Sequence, residues 1–571
     1  MARYATLKSL RHARLLASLA LVAPLLVSAD ASASGLYFSD RGVRPLGRGG
    51  AFVAGADDLG AMWYNPAGLA DAGTSFLLDA SWLHYTSEFT RRSLVYDGNG
   101  AGAAGHLYQF PSVSGTSPVL PIPTLGGSYA FGKDHAFTVA LGIMSPYTAI
   151  TSYPTTTNGS PAPSRYSLVS LDGSALVLTG AYLAYKPIER IRIGGGLQAL
   201  VGTFQSAVVF SASPPDRLIS APEDPSYDTN SQLKVGPIFS PTANFGITAI
   251  PIDQLRIGAS VQLPANVNAP AKVGVRFAEG AVFDKARQTG NDGHVRFTLP
   301  AVLRAGVEYR TPLENQRELR VEATYVREFW SMHQSIDLRP DDISLSGITG
   351  FPSPISVAPI TLPRNFQDSN SIRLGGELSY LAGGYPLATR LGFNYESSAI
   401  PTNYVSPLTV DSDKFTVAVG GSMWLMGHKL RLDVVYAHVF AFDVSVDPTT
   451  AAISRVSPVS GNAVKYQEAI NGGNYSHRAD VLGVGLEYRF DYEPPAKKDD
   501  DKKKHDADPN VKAGTDVMPG TGSPSGDAAR TKTPDVKPTP DPEPVAEVKP
   551  PPEPDPPPPP KKTTKKTKKT Q

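Results

Sequence analysis

Between Gly73 and Phe490, apolar and polar residues alternate with a period of two. Near the end of this stretch Leu482, Val484, Leu486, Tyr488 and Phe490 fall on one side, and Gly483, Gly485, Glu487 and Arg489 on the other. The same division separates Leu303, Ala305, Val307 and Tyr309 from Arg304, Gly306, Glu308 and Arg310, and Ile372, Leu374 and Leu378 from Arg373, Glu377 and Ser379. This is the period of strands with one apolar and one polar face. A soluble sandwich alternates too, so other features must decide. The polar face carries Gly and charges of both signs, which suits a wet lumen. Many strands end in an aromatic just before a short turn, at Tyr129 or Phe131, Tyr185, Tyr309, Tyr380, Trp424, Tyr488 and Phe490, as a membrane-interface girdle requires. Short turns at 132–135, 186–189 and 251–253 alternate with long connections at 91–123, 206–242 and 333–369. The pattern predicts an all-β fold: a transmembrane antiparallel β-barrel of about 14 strands, with the short turns and both chain termini on the periplasmic side.

The two ends of the chain do not alternate. Residues 1–33 read as a signal peptide: basic Arg3, Lys8, Arg11 and Arg14, an apolar run from Leu15 to Val27, then Ala31-Ser32-Ala33 as a small-residue cleavage site. No other apolar run reaches the ~18 residues of a membrane helix. Residues 34–73 form a compact segment predicted to plug the lumen of a barrel spanning 74–490. Residues 491–571 hold 19 of the 52 prolines, with 16 basic and 15 acidic residues. Such a composition cannot bury enough apolar surface to offset its ordering entropy, and predicts a disordered, partly polyproline-II tail in the periplasm. It reads as a solvated tether, as a contact to anionic cell-wall polymer such as peptidoglycan through Lys561 to Lys569, or as a ligand for a Pro-binding partner.

Composition sharpens this picture by exclusion. The 571 residues include no Cys, so there is no disulfide, thiolate metal site, cysteine nucleophile or lipidated N-terminal cysteine. A net charge of +1 argues against a nucleic-acid partner. A mean hydropathy of −0.18 would suggest a soluble protein, but two alternating faces cancel in any average. The stretch Gly127 to Asp134 mimics a phosphate loop, yet has Asp134 where Ser or Thr must hold Mg²⁺ and is followed by a strand. No G-x-S-x-G or H-E-x-x-H occurs. The histidines are scattered, so no catalytic residue, metal site or cofactor is expected.

Within the plug, Gly47-Arg48-Gly49, the small and acidic stretch Ala54 to Asp58 and above all Asn65-Pro66-Ala67 resemble the FadL/TodX (OMPP1) family of outer-membrane hydrophobic-compound transporters. Ser145-Pro146-Tyr147, Arg165-Tyr166, Trp330, Arg390 to Pro401 and Tyr436-Ala437-His438 continue the resemblance. It implies a non-enzymatic protein of a Gram-negative outer membrane. Its function would be passive uptake of long-chain fatty acids or other hydrophobic compounds by apolar pockets, plug movement and lateral release. Its partners would be outer-membrane lipid and lipopolysaccharide and the barrel assembly machinery. By the same resemblance Asn65, Pro66, Ala67, Gly47, Arg48 and the plug's start at Gly35, Leu36, Tyr37 and Phe38 form the plug and gate. Release would pass a kinked third strand, for which Gly142 and Pro146 are the candidates. Asn65-Pro66-Ala67 also reads as a helix or turn start that shapes the plug. Arg165 and Arg48 are candidates for a carboxylate head group or for structural salt bridges. The sequence departs from the family in continuing some eighty residues past Phe490, which must then act as an internal assembly signal. An outer-membrane lipid-active enzyme, and a structural barrel tethered to the cell wall by its tail, are the competing readings.

Overall fold

The computed structural model describes residues 32–33, 40–96, 105–117, 121–145, 151–171, 173–211, 225–455 and 469–491. Residues 1–31 of the expected signal peptide, the plug's start at Gly35 to Phe38, Pro146 and the tail beyond Asp491 lie outside the described residues. Fourteen antiparallel strands close a barrel. They are β1 (Ser75–Tyr96), β2 (Pro121–Phe131), β3 (Phe137–Met144), β4 (Ala175–Ile188), β5 (Ile191–Ser211), β6 (Asp228–Ile252), β7 (Leu255–Gln262, resumed at Ala265–Arg276) and β8 (Asp292–Leu299 and Val302–Leu313). Then come β9 (Arg317–Glu328 and Ser335–Asp341), β10 (Ile360–Pro363 and Ser369–Ala382), β11 (Tyr385–Glu396), β12 (Lys414–Leu425), β13 (Leu430–Ala441) and β14 (Gly473–Arg489). Pairing of β1 with β14, from Ser75 opposite Arg489 to Arg91 opposite Gly473, closes the ring.

The faces follow the alternation. Leu482, Val484, Leu303 and Val307 are exposed on the outer wall, while Arg304, Glu308, Arg373 and Glu377 are buried inside. At the short-turn end Tyr129, Phe131, Phe137 and Tyr185 form an exposed row with ring centroids 6.1, 5.6 and 4.6 Å apart. At the other end the outward tyrosine hydroxyls of Tyr325, Tyr395 and Tyr436 donate to Asn370 (2.5 Å), Asp413 (2.8 Å) and Asp480 (2.7 Å) on neighbouring segments. These two belts bracket the apolar band, as amphipathic rings do at membrane interfaces. Trp424 departs from the sequence expectation. It shares the parity of the inward Ser422 and lines a polar cavity at the short-turn mouth with Arg44 and Arg489.

The sixth strand is also longer than expected. Residues 228–242, which read as part of a long connection, extend β6 to 25 residues along β5. Pro237 and Pro241 interrupt the alternation there, which hid the strand from a period-two reading. At that level the wall of β6 to β10 changes character. Strands β7 and β8 break at Pro264 and Pro300, β9 at 329–334 and β10 at 364–368. We call this level the collar. Above it the strands form a vestibule on the long-loop side, and below it lies the membrane barrel filled by the plug.

Candidate functional site

The plug is built from two short helices, α1 (Val43–Gly47) and α2 (Ala61–Tyr64), followed by a tight 3-10 turn at Pro66–Asp71. Asn65 starts that turn: its Oδ1 accepts from the Ala67 N–H (3.2 Å), and Pro66 occupies the first turn position, where no N–H is needed. The Asn65 Nδ2 donates to the Val53 carbonyl (2.8 Å) and to Thr248 Oγ1 (2.9 Å) on β6. Asn65-Pro66-Ala67 therefore shapes the plug and fastens it to the wall at the same time.

Glycines on the inner wall mark where the plug lies. A Cβ at Gly246 would stand 2.0 Å from Asn65 Oδ1, one at Gly194 would stand 2.3 Å from the Pro66 carbonyl oxygen, and one at Gly392 would stand 1.9 Å from the Gly49 N. None of these distances is possible for a side chain, so the plug rests directly on the strands, through its backbone at Gly194 and Gly392 and through Asn65 at Gly246. Gly142 belongs to this set. It is paired in register with Gly126 on one side and Gly180 on the other, and a Cβ there would meet the Met62 sulfur at 2.3 Å. Its missing side chain makes room for Met62, and the described part of β3 has no kink. Asn65-Pro66-Ala67 lies against β5 and β6, through Gly194 and Gly246, and the 3-10 turn it opens also touches β3 and β4.

Charge fixes the plug as well as fit. Asp57 accepts from Arg44 (2.6 Å), Arg320 (2.9 Å) and Arg310 (3.3 Å). Glu377 takes Arg390 (2.6 Å) and Arg44 (3.0 Å), and Asp58 takes Arg431 (2.9 Å) and Arg44 (3.0 Å). Arg48 bridges Glu308 (3.0 Å) and Glu322 (3.1 Å). Glu322 also accepts the backbone N–H groups of Val53, Ala54 and Gly55 at 2.6, 2.9 and 3.0 Å. Such charge-assisted, multiply bonded carboxylates hold two elements in one arrangement. Gly47 packs on Gly420 of β12 beside Arg390. Arg48 is thus held in the plug seat by carboxylates of β8 and β9.

The same holds for Arg165. Its Nε donates to Asp228 (2.7 Å) and its Nη2 to the Tyr166 hydroxyl (2.9 Å), which in turn donates to Asp228 (2.7 Å). This arginine pins the 151–171 segment to the start of β6.

Above the collar lies a cavity of about 300 Å³. Its wall is aliphatic and aromatic, including Phe210, Leu233, Val273, Ile336, Leu345 and Ile360. The cavity wall also includes Arg364, which follows the upper piece of β10 at the collar. Arg364 is buried, and its Nε and Nη2 have no hydrogen-bond partner among the described residues. Burial without a compensating carboxylate pushes its guanidinium down to about 10. Close to it sits His333, whose Nδ1 meets the Thr298 carbonyl oxygen at 2.8 Å while its buried Nε2 has no hydrogen-bond partner among the described residues. Burial, and then the Arg364 charge, push His333 down to about 4. Trp330 and Phe366 pack beside them, their rings 6.0 Å apart. Sequence reading singled out Trp330 but missed Arg364 and His333. The available signal was an arginine in Leu362-Pro363-Arg364-Asn365-Phe366, a break between strands with no acid within three residues on either side.

A family model described as outer membrane protein transport protein (OMPP1/FadL/TodX) matches residues 24–490. No curated protein matches the sequence. Among solved structures, the chain is similar to a FadL homologue of Pseudomonas aeruginosa, at 15% identity and a TM-score of 0.58, over 80% of this chain and 100% of that one. It is similar to the P. putida toluene transporter TodX at 16% identity and a TM-score of 0.51, over 81% and 100%. At these identities the likeness is one of fold.

Proposed function

The chain belongs to the OMPP1/FadL/TodX family of outer-membrane transport proteins, and from that premise we propose that it takes up long-chain fatty acids passively across the outer membrane. The family carries hydrophobic compounds; the fatty acid is the finer reading, and Arg364 is the observation that carries it. A neutral hydrocarbon needs only the apolar wall of the vestibule. It leaves a buried guanidinium uncompensated, which is a costly arrangement for a protein to maintain. A carboxylate at the collar supplies the missing acceptor in a forked, charge-assisted contact while its alkyl chain lies along Leu233, Val273 and Ile336. Adjacent His333 offers a second polar contact.

The steps follow from the layout. The vestibule strips an apolar molecule of water, and Arg364 orients it at the collar. The plug is braced by Asn65, Glu322 and the arginine network, so the path downward is filled. Release then goes sideways through the wall, with the plug shifting locally rather than leaving. The tail beyond Asp491 starts at the short-turn end, which favours a periplasmic tether.

Equilibrium binding of oleate and methyl oleate to the purified protein tests this. Wild type should prefer oleate by about tenfold or more, as expected for a charge-assisted pair, and Arg364→Gln should erase the preference while keeping methyl oleate affinity. Equal affinity of wild type for both ligands would refute the fatty-acid reading. The substitution should raise the unfolding midpoint, because it removes an unpaired buried charge. That makes misfolding an unlooked-for explanation of lost binding.

A further inference from the structure

The outer wall changes chemistry at the collar. Below it the outward side chains of β7 and β8 are apolar, at Ile257, Leu263, Leu303 and Val307. Above it the outward series on β7 is Asn266, Asn268, Pro270, Lys272, Gly274 and Arg276, while the alternate residues Val273 and Val275 line the vestibule cavity. On β8 the outward series is Asp292, His294, Arg296 and Thr298. The hydrocarbon therefore ends near Asn266 on this side, and the wall above it faces the polar layer of the leaflet at the long-loop side.

Within that polar wall, cations gather around an open floor. Lys272, Gly274 and Arg276 follow one another on the outward face of β7, directly opposed on β6 by Lys234, Gln232 and Asn230. Successive outward residues of a strand stand about 6.6 Å apart and opposed ones about 5 Å. Lys234, Lys272 and Arg276 therefore surround Gly274. A Cβ at Gly274 would meet nothing within 4 Å, so the space between the charges is open.

Like charges directly opposed across a ladder, as Lys234 and Lys272 are, destabilise a sheet. Neighbouring acids do not resolve the conflict. Asp292 reaches Lys272 (2.5 Å), Asp228 is held by Arg165 (2.7 Å), and neither Lys234 nor Arg276 makes an ion pair among the described residues. Beside them Asn230 has a shielded Oδ1 with no hydrogen-bond partner among the described residues, an acceptor suited to a hydroxyl.

Height selects the anion. Lys272 and Gly274 stand six and eight residues along β7 from Asn266. At about 3.3 Å per residue and a tilt of about 40°, that is about 15–20 Å above the hydrocarbon edge. An ordinary headgroup layer is only about 5–8 Å deep. A phosphate carried at the anchor of a lipid lies too low, whereas a phosphate on a chain of sugars built upon that anchor reaches the cradle.

We propose that the cradle of Lys234, Lys272, Gly274 and Arg276 binds a phosphorylated sugar in the core of lipopolysaccharide, in the leaflet that surrounds the barrel. The cations take the phosphate in charge-assisted hydrogen bonds. Asn230 and Gln232 meet hydroxyls, and Gly274 lets the sugar approach the strand. The site lies on the opposite face of the wall from the vestibule, so it requires neither the cavity nor the uptake reading.

The test is binding of lipopolysaccharide with core phosphates to the purified protein in detergent, compared with the same glycolipid made without core phosphates. Wild type should prefer the phosphorylated form by about tenfold or more. Lys234→Gln with Arg276→Gln should abolish the preference and, because both side chains are exposed, leave the unfolding midpoint unchanged. Gly274→Trp fills the floor while keeping every charge, and should weaken binding of the phosphorylated form by about fivefold or more. Arg478→Gln removes an exposed cation from β14 and should change nothing. Equal affinity of wild type for the two glycolipids, an equal loss with Arg478→Gln, or full binding in Gly274→Trp overturns the site. Displacement of the glycolipid by an equal concentration of inorganic phosphate overturns the lipid-borne source.

Discussion

Single residues decide how the plug sits, and Glu322 is the most heavily used of them. It accepts three plug N–H groups and Arg48 from one position on β9. Replacing it by Ala strands all four donors, so Glu322→Ala should lower unfolding stability by about 3 kcal/mol or more. Urea unfolding in lipid vesicles measures it, and a loss below 1 kcal/mol would show that the plug does not depend on this anchor. His333 gives a pH signature. Its folded value near 4 lies below the ordinary 6.5, so the folded state holds it neutral. The stability this reflects is present above pH 6.5 and is lost as pH falls toward 4, by at most about 3 kcal/mol. Wild type should weaken over that window and His333→Phe should weaken less; parallel curves would contradict the assignment. These residues were not legible in the sequence as ligands or anchors. For Arg48 and Arg165 the sequence left a head-group contact and a structural salt bridge both open, because their acids, Glu308, Glu322 and Asp228, lie far along the chain or on another element.

At the scale of elements, period two carried the reading well where strands are regular. The outward series of β8, β10, β11 and β14 is the one the alternation shows. It failed where proline and a change of phase break the period, in the upper half of β6 and at the collar. The inner glycines were visible in sequence only as polar-face residues; their role needed the plug's position. That role separates otherwise similar substitutions. Gly194→Ala and Gly392→Ala should each cost about 1–3 kcal/mol, the range for overpacking, because their Cβ atoms meet plug backbone. Gly421→Ala, whose nearest neighbour is at 3.7 Å, should be near neutral. Thermal unfolding of the three variants checks this. Equal effects would mean that the glycines serve the strands rather than the plug.

For the whole molecule, sequence alone gave the barrel, its approximate strand number and the plug. It could not give the vestibule, because that cavity is assembled from β5, β6, β7, β9 and β10 together with segments at 166–168, 406–408, 452–455 and 470, residues far apart in the chain whose shared level appears only when the strands are aligned. On the proposed uptake route this vestibule is the first station, followed by Arg364 and then the wall. Filling it is therefore the most direct test. Uptake of labelled oleate into vesicles carrying wild type should fall at least about tenfold in a Val273→Trp, Ile360→Trp double variant that retains the native barrel by circular dichroism. Uptake at the wild-type rate with the cavity filled would contradict the account.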